Sequence, residues 1–405
     1  MAIVINGQTG IDAGHLPISN AGNTEIEGTL TGADVTVASI TANSVITQGQ
    51  NVTPFSGFKN YIINGDFKVN QYNADTAVAI TSAVSACDRF YGFASQNGKI
   101  TAQRRSPGAV TMGEAQFGNC LQVLTVAGYA PNSTDNFNIT QKIEGLSIAN
   151  LRFGKSNAKT ITLSFWVRSS VVGLHCVSFK NATLDRSYVA TYTINSANTF
   201  EYKTITIQGD TTGTWLYDNG TGLCVVFNLA NGSSLSTPTP NQWVSGSYNT
   251  TVGAVNDIAT TGNEFILTGV QLEEGSVATP FENRPYATEL ALCHRYFETT
   301  SKGLREYIGG GYFDTTTLVN ATWLFRVAKR VAPTINSLPI GAMSASYPIA
   351  NGQFSSTTSS SSNIGLLSAS ISFSVSAAAT SGLPCSVSVR GDLGSNYVLT
   401  ASAEL

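Results

Sequence analysis

Aromatic and polar residues stand side by side at several predicted turns of this chain. Trp215, Tyr217 and Asp218 surround one such turn, and Trp243 and Tyr248 lie in a second loop-rich stretch. Aromatic rings can cover the apolar C–H face of a sugar, while carboxylates and amides can bond its hydroxyls. We therefore predict that these five residues contact a glycan. For Trp215, a place in the core of a β-sandwich is the alternative.

A second set of candidates lies towards the C-terminus. Tyr312, Trp323 and Arg326 combine aromatic rings with a charged hydrogen-bond donor. Such residues are enriched at binding surfaces, because they join a large contact area to directed hydrogen bonds. We predict that they also contact the glycan, and plain packing of the rings is the alternative.

The chain lacks the short motifs of common enzymes. It contains no G-x-S-x-G, H-E-x-x-H or P-loop sequence. Its three histidines, His15, His175 and His294, fall in different segments, whereas a metal centre needs several convergent ligands. We therefore predict no catalytic residue and no metal site from these motifs.

Paired carboxylates could still hydrolyse a glycosidic bond. That chemistry needs two acids about 5–10 Å apart, a distance that sequence spacing cannot test. The candidate acids are Asp88, Asp210, Asp218, Asp257, Glu273 and Glu274. A glycanase is therefore the alternative to simple binding.

The charge content of the chain excludes some partners. Charged residues make up 12% and the formal net charge is −3, against about 25% charged residues in ordinary soluble proteins. No block of Lys and Arg could hold phosphates, so we predict no nucleic-acid partner. No run of about 18 apolar residues occurs, so we predict no membrane insertion. The start of the chain lacks the basic residues of a signal peptide, and we expect export without the secretory route.

Residues 56–287 are predicted to form a central antiparallel jelly-roll sandwich. Apolar and polar side chains alternate with a period of two over residues 161–168, which is typical of a strand with one buried face. Apolar runs at 223–229 and 265–272 indicate inner strands. Asn-Gly turns separate the predicted strands.

A short helix is predicted at residues 288–299. Thr288 could cap it, and Leu290, Cys293 and Phe297 recur at helical spacing. We interpret this helix as a hinge between two domains.

The two ends of the chain are predicted to form separate units. Residues 300–405 are predicted to be a C-terminal β-sandwich head, with 309–311 as a flexible turn and 355–363 as a low-complexity loop. Residues 1–55 have strand-like alternation but few large side chains, so one copy could not bury a core. We predict that three copies pack together there and form a homotrimer. A disordered leader is the alternative.

Four segments of the chain resemble sequences that recur in the tail fibres and receptor-binding proteins of tailed bacteriophages. The longest is LTGVQLEEGSVATPFENRP (267–285), with ALCHRYF (291–297) after it. The others are TLSFWVRSS (162–170), GDTTGTW (209–215), and NYIINGDF (60–67) with DRF (88–90). The resemblance extends over residues 58–297 and implies a jelly roll like that of carbohydrate-binding modules.

This resemblance implies a non-catalytic adhesin of the virion tail fibre, assembled in the host cytoplasm. The N-terminal segment would attach to tail or baseplate proteins, and the ligand would be a host surface polysaccharide or lipopolysaccharide. Jelly-roll binding modules often hold a structural calcium ion, and Asp66, Asp88 and Glu273 could share one. Two alternatives stay open. One is a tailspike-type polysaccharide depolymerase, although the repeat of a long β-helix is missing here. The other is a structural tail or baseplate component without a ligand.

Overall fold

The computed structural model describes residues 45–47, 50–52, 58–106, 108, 110, 115–300, 305–339, 341–347, 350–355, 359–375, 379–390 and 397–405. The chain divides into two compact units, residues 1–45 and 46–405. The predicted segment 1–55 lies outside the described residues except for β1 (Val45–Thr47) and β2 (Gln50–Val52). Its trimerisation and attachment therefore stay predictions.

Two antiparallel sheets build the central domain. Its strands are β3 (Val78–Ala79), β4 (Val84–Cys87), β5 (Phe90–Ala94), β6 (Ile100–Arg105), β7 (Cys120–Thr125), β8 (Asn136–Glu144), β9 (Ile161–Ser169), β10 (Gly173–Lys180), β11 (Arg186–Ile194), β12 (Glu201–Ile207), β13 (Thr221–Asn231), β14 (Ser236–Thr237), β15 (Trp243–Ser245), β16 (Thr250–Thr251) and β17 (Glu264–Glu274). One sheet has the order β15-β11-β10-β13-β8-β5-β4, and the other has the order β12-β9-β17-β7-β6-β3. β14 and β16 form a short parallel pair.

Side chains from both sheets fill a single core between them. Phe165 of β9 meets Phe227 of β13 edge to face, with ring centroids 5.2 Å apart. The inward residues of β9 are completely buried, and they are Ile161, Leu163, Phe165 and Val167. Burying each large apolar side chain contributes about 1.5–3 kcal/mol. The all-β sandwich predicted for the central domain is confirmed.

Within the residues that the structure describes, two α-helices join the strands. They are α1 (Gly145–Ile148) and α2 (Tyr286–His294), and short 3-10 helices cover Ala149–Leu151 and Ser233–Leu235. The helix predicted at 288–299 exists, but its predicted bounds and its cap at Thr288 are wrong. Pro285 precedes the first turn with φ −55°, the value that its ring imposes, and the Thr288 N–H already donates to the Pro285 carbonyl. Phe297 begins a strand instead of extending the helix.

The head also consists of two sheets. Its strands are β18 (Phe297–Thr299), β19 (Arg305–Phe313), β20 (Leu318–Leu324), β21 (Thr334–Ile335), β22 (Met343–Tyr347), β23 (Ala350–Ser355), β24 (Ser360–Ser362), β25 (Ser368–Ser374), β26 (Pro384–Arg390) and β27 (Thr400–Ser402). One sheet has the order β23-β22-β26-β19-β20-β25-β24, and the other has the order β18-β27-β21. Trp323 and Phe373 of the larger sheet share a core with Ala401 of the smaller one. The β-sandwich predicted for the head is confirmed.

Two local predictions in the head are wrong. The glycines at 309–311, predicted as a turn, lie inside β19, because that strand is paired on both sides. The loop predicted at 355–363 contains β24, which pairs with β25. Local composition favoured a loop at both places, and pairing with distant strands overrode it.

The end of α2 is tied to the central domain. The Arg295 guanidinium donates to the Glu144 carboxylate at 2.6 and 2.8 Å, and the Tyr296 hydroxyl donates to it at 2.8 Å. Phe297 stacks on Tyr72 with centroids 3.7 Å apart. None of the helices in the described part of the chain has the length and apolarity to cross a membrane.

Candidate functional site

A cluster of aromatic rings surrounds Trp215 in the central domain. Trp215 and Trp243 meet edge to face at 5.4 Å, and Phe153 approaches them at 4.9 and 5.8 Å. Tyr188 packs on Trp243 at 5.4 Å. Trp215 is only 6% exposed, and its indole N–H donates to the Thr212 carbonyl at 3.0 Å. Both its ring and its polar atom are therefore engaged inside the protein.

The turn before Trp215 is held by a buried carboxylate. Asp210 accepts bonds from the Arg186 guanidinium at 2.7 and 2.8 Å, and from the Thr212 N–H and hydroxyl at 3.1 and 3.0 Å. The hydrogen bond to Asp210 raises the pKa of Arg186. This bonding fixes the turn and directs Trp215 into the core.

A shallow depression of about 520 Å³ lies beside this cluster. Its lining consists of Ala149, Arg152, Lys155, Ser156, Asn157 and Tyr217. Tyr217 is half-buried, and its hydroxyl donates to the Phe153 carbonyl, which connects the depression to the aromatic cluster. Its ring can cover an apolar sugar face, and the side chains of Arg152, Lys155, Ser156 and Asn157 can bond hydroxyl or acidic groups.

Two consecutive turns place the cations of the depression. Arg152 ends a 3-10 helix with φ +55°, and its carbonyl accepts the Lys155 N–H at 3.1 Å. Both side chains are exposed. Neither forms an ion pair within the part of the chain that the structure describes, whereas the nearby Lys159 pairs with Glu274 at 2.8 Å. The depression therefore carries positive charge that an acidic ligand could neutralise.

The other predicted contacts of the central domain have different surroundings. Asp218 is exposed, and its carboxylate accepts the Gly220 N–H at 2.8 Å, which shapes the turn. Trp243 is half-buried in β15. The Tyr248 N–H donates to the Ser187 hydroxyl at 3.2 Å, on the face of β11 opposite the aromatic cluster, because adjacent strand residues point to opposite sides.

The structure therefore brings Trp215, Tyr217 and Trp243 together and leaves Tyr248 on another face. Their contact with a glycan stays a prediction. Among the five candidates, the ring of Tyr217 lines the depression.

The candidates of the head lie around a separate core. Trp323 is 4% exposed and meets Phe325 edge to face at 5.2 Å. Arg326 is exposed, yet its guanidinium bonds Glu298 at 3.0 Å and Glu306 at 2.7 Å. Tyr312 is 49% exposed. Of these three candidates, Tyr312 therefore offers an open ring.

Each acid considered for glycoside hydrolysis has a partner of its own. Asp88 accepts two bonds from Gln71, and burial raises its pKa to about 6. Glu273 accepts the Thr279 N–H at 2.8 Å and its hydroxyl at 2.6 Å. Glu274 pairs with Lys159, as described above.

Asp257 lies in the core between the sheets with a buried histidine. Its carboxylate accepts the Ser169 hydroxyl at 2.8 Å and lies 3.1 Å from the His175 Nε2. Burial alone would lower the pKa of His175, but the hydrogen bond and charge of Asp257 outweigh it and raise the pKa. Through its bonds to Ser169 and His175, Asp257 links the end of β9 to β10. The pair has a structural role here.

The residues proposed for calcium do not converge. Asp66 pairs with Lys68 at 2.8 Å, while Asp88 and Glu273 have the partners given above. Among the described residues, no group of three or more His, Cys, Asp or Glu side chains is placed to hold a metal ion. The structure therefore does not bring these three carboxylates to one site.

The basic side of the depression was missed by sequence reasoning. Arg152, Lys155 and Asn157 lie between β8 and β9, in a stretch that has no aromatic-turn signature. Two basic residues close together in a chain with only 22 Lys and Arg could have drawn attention to it. Their approach to Tyr217 depends on the fold.

Comparisons with known proteins give distant structural likenesses. No protein-family model and no curated protein matches the chain. Among solved structures, the chain is similar to the enzymatically active domain of tailspike protein 4 of bacteriophage CBA120, with 11% identity over 53% of this chain and a TM-score of 0.28. The match spans 21%, about a fifth, of that tailspike chain.

Carbohydrate-binding modules show likeness of the same order. A module named TmCBM61, solved with β-1,4-galactotriose, has 10% identity over 54% of this chain and all of its own length, with a TM-score of 0.27. A family 11 module of the cellulase Lic26A-Cel5E of Clostridium thermocellum has 15% identity over 52% of this chain and all of its own, with a TM-score of 0.24. At this level of likeness, a functional assignment depends on the geometry of the chain itself.

Proposed function

We propose that this protein is a non-catalytic adhesin that binds a cell-surface glycan at the depression beside Tyr217. The observation that carries the proposal is the lining, where an aromatic ring meets two cations that have no ion-pair partner among the described residues. Ser156 and Asn157 add a hydroxyl and an amide. Guanidinium and ammonium groups bind carboxylates and phosphates strongly. An acidic sugar is therefore the favoured ligand.

The adhesin is further proposed to be a phage tail fibre or receptor-binding protein. The four sequence segments described above support this proposal. In it, three chains form a trimer that attaches to the tail or baseplate through the N-terminal segment, and the ligand is a host polysaccharide or lipopolysaccharide. Linked weak sites can gain about 10²–10⁴ in avidity, so that a shallow depression suffices for adhesion.

Replacing Tyr217 and Lys155 with Ala together is expected to weaken binding to an acidic surface polysaccharide at least about tenfold, which corresponds to about 1.4 kcal/mol. The substitutions remove the ring that covers the sugar face and one charge-assisted hydrogen bond. Biolayer interferometry on immobilised bacterial capsular polysaccharides and lipopolysaccharides measures the change.

Lys99→Ala is the matched control for this experiment. It also removes one positive charge, but from a side chain that lies 4.9 Å over the Tyr129 ring, outside the depression. Its binding should equal that of the unaltered chain. Equal binding by the Tyr217→Ala/Lys155→Ala variant would contradict the proposed site. Oligosaccharides released during incubation would contradict the non-catalytic assignment.

The assembled protein is expected to have a solution mass near three times the 42.6 kDa of one chain. Three copies would shield the apolar faces that residues 1–55 cannot bury alone. Light scattering coupled to size-exclusion chromatography measures this mass. A monomeric mass would contradict the fibre proposal, while glycan binding at the depression would be judged separately by the variants above.

A further inference from the structure

Three consecutive glycines lie in β19, and the structure explains two of them. Gly309 has φ +152°, and a Cβ there would lie 2.8 Å from the Thr322 carbonyl oxygen. At Gly311, a Cβ would lie 2.6 Å from the Asn320 carbonyl oxygen. Gly310 has no such φ, and no atom lies within 4 Å of the position that its Cβ would take. Folding therefore does not require a glycine at 310.

A β-bulge gives β19 an unusual outer face. The register with β26 shifts between Tyr307 and Gly309, so one residue is left over. Without this shift, side chains five positions apart would point to opposite faces. With it, Tyr307 and Tyr312 both point outward, and they are 60% and 49% exposed. Gly310 lies between them on the same face.

Partners on β26 confirm this arrangement. Tyr307 pairs with Ser388, Gly310 with Ser386, and Tyr312 with Pro384. These three partners alternate along β26 with Cys385, Val387 and Val389 of the head core, so they lie on the opposite face. Ser386 and Pro384 are exposed there, whereas Ser388 is fully buried and its hydroxyl lies 2.9 Å from that of Ser344. Two steps of two residues separate the tyrosines along β26, a distance of about 13 Å. Between the two rings lies a strip of bare backbone, which we call the tyrosine shelf (Tyr307, Gly310 and Tyr312).

The surface beside the tyrosine shelf carries hydroxyl and amide groups. Pairing across β20, β25 and β24 gives two outward rows, one of Asn320, Ser372 and Ser360 and one of Thr322, Ser370 and Ser362. The Ser372 hydroxyl donates to the Asn320 side chain at 2.6 Å. Arg305 and Arg390 pair with each other in the next outward row beyond Tyr307 and Ser388, so two basic residues flank the Tyr307 end of the tyrosine shelf.

We propose that the tyrosine shelf is a second binding site and that it takes a neutral saccharide. The bare backbone at Gly310 lets a flat sugar ring approach closely, and the two tyrosine rings cover its apolar C–H groups. Thr322 and Ser386 bond its hydroxyls. Around Gly310 and Tyr312 this face presents hydroxyl and amide groups, which match the hydroxyls of an uncharged polyol.

The pairing of β19 decides how the ligand binds. β19 lies between two strands, pairing with β26 over Arg305–Tyr312 and with β20 over Gly311–Phe313. An added strand from a second chain would need a free edge. The ligand must therefore lie on the face of the sheet, where side chains and the glycine gap make the contacts.

Gly310→Val in the full-length chain tests the tyrosine shelf. Valine suits a strand and its Cβ has no atom within 4 Å, so the thermal midpoint should stay the same or rise. Its branched side chain fills the gap, and binding should fall at least about tenfold, equivalent to about 1.4 kcal/mol. The probe is an array of neutral oligosaccharides of glucose, galactose and mannose, read by saturation-transfer NMR.

Ser362→Val is the matched control for Gly310→Val. It adds a similar group to an exposed position on the same face, three strands away, at about 14 Å. Its binding should be unchanged, and Tyr312→Ala should lose binding as Gly310→Val does. Unchanged binding by Gly310→Val, or no binding of any neutral sugar by the unaltered chain, would overturn this inference.

The tyrosine shelf and the depression are both proposed to bind glycans. Different variants test the two sites, so one proposal can be contradicted while the other is supported. In the Tyr217→Ala/Lys155→Ala variant, neutral oligosaccharides should still bind with unchanged affinity. Loss of neutral-sugar binding in that variant, with binding kept in Gly310→Val, would overturn the shelf. Loss of neutral-sugar binding confined to Gly310→Val would support the shelf, and binding of acidic polysaccharides judges the depression separately.

Discussion

Replacing Lys329 with Met is expected to destabilise the head by about 3–5 kcal/mol. The Lys329 ammonium lies 2.7 Å from the Glu298 carboxylate and 2.6 Å from the His294 carbonyl oxygen. The two charged side chains are 0% and 1% exposed. Removal of the ammonium leaves the Glu298 carboxylate buried with a single, partly exposed cation, Arg326, at 3.0 Å.

The loss of stability in Lys329→Met should be confined to the contact between α2 and the head. β18, which contains Glu298, pairs with β27, so hydrogen exchange at the backbone amides of these two strands should accelerate. Unfolding in guanidinium chloride measures the free energy of unfolding. These two measurements separate a local opening from loss of the whole fold.

Two comparisons make the Lys329 prediction specific. Arg326→Met removes the 44% exposed partner of the same carboxylate and should cost no more than about 1 kcal/mol, as for surface ion pairs. The double variant Lys329→Met/Glu298→Gln should lose less than Lys329→Met alone, because no unpaired charge stays buried. Equal losses in Lys329→Met and Arg326→Met would contradict the prediction.

Arg284→Met is expected to destabilise the central domain by about 3–5 kcal/mol near neutral pH. The Arg284 side chain is 3% exposed. It bonds Glu282 at 2.9 Å, Glu289 at 3.3 Å and the Ile62 carbonyl at 3.2 Å, and it also bonds the Asn60 carbonyl. The substitution leaves the Glu289 carboxylate buried without the Arg284 cation. The carbonyls of Asn60 and Ile62 also lose the hydrogen bonds that Arg284 donates to them.

This loss should depend on pH through Glu289. Burial raises the pKa of Glu289, and the charge of Arg284 opposes that rise. Without Arg284 the pKa rises further, so the folded variant takes up a proton more readily than the unfolded chain, whose pKa is near 4.5. A carboxyl with a raised pKa favours the folded state at low pH and loses that contribution as pH rises through the folded pKa.

The free energy of unfolding that Arg284→Met loses relative to the unaltered chain should therefore be smaller at about pH 5 than at about pH 8. Urea unfolding of the variant and of the unaltered chain at both values measures the difference. Arg284→Met/Glu289→Gln is the control, because it lacks the titrating carboxyl and should show a deficit with little pH dependence. A deficit of Arg284→Met that does not change with pH would contradict the role assigned to Glu289.

The candidate sites show where sequence reasoning ends. Sequence reasoning placed Trp215 and Tyr217 around one turn as glycan contacts, but the bonds of Asp210 direct the Trp215 ring inward. Tyr217, two residues later, lines the depression instead. Which of two neighbouring aromatic residues is open depends on packing with Phe153 and Trp243, which are distant in sequence.

Contacts beyond the local sequence also decide the tyrosine shelf and the start of α2. Tyr307 and Tyr312 share a face only because β19 is bulged against β26, and the glycines between them suggested a turn when judged alone. The cap of α2 was assigned to Thr288 from local preference, whereas the proline at 285 starts the helix.

The sequence by itself determined the β class of both domains, the buried face of β9, and the existence of a helix between the domains. These features depend on local periodicity, which each segment carries within itself. Only the tertiary structure decided which aromatic rings stay open, where the depression and the tyrosine shelf lie, and why Arg284 is buried. The bonds of Arg284 to Asn60 and Ile62 join residues more than 200 positions apart, and no local pattern specifies a contact at that separation.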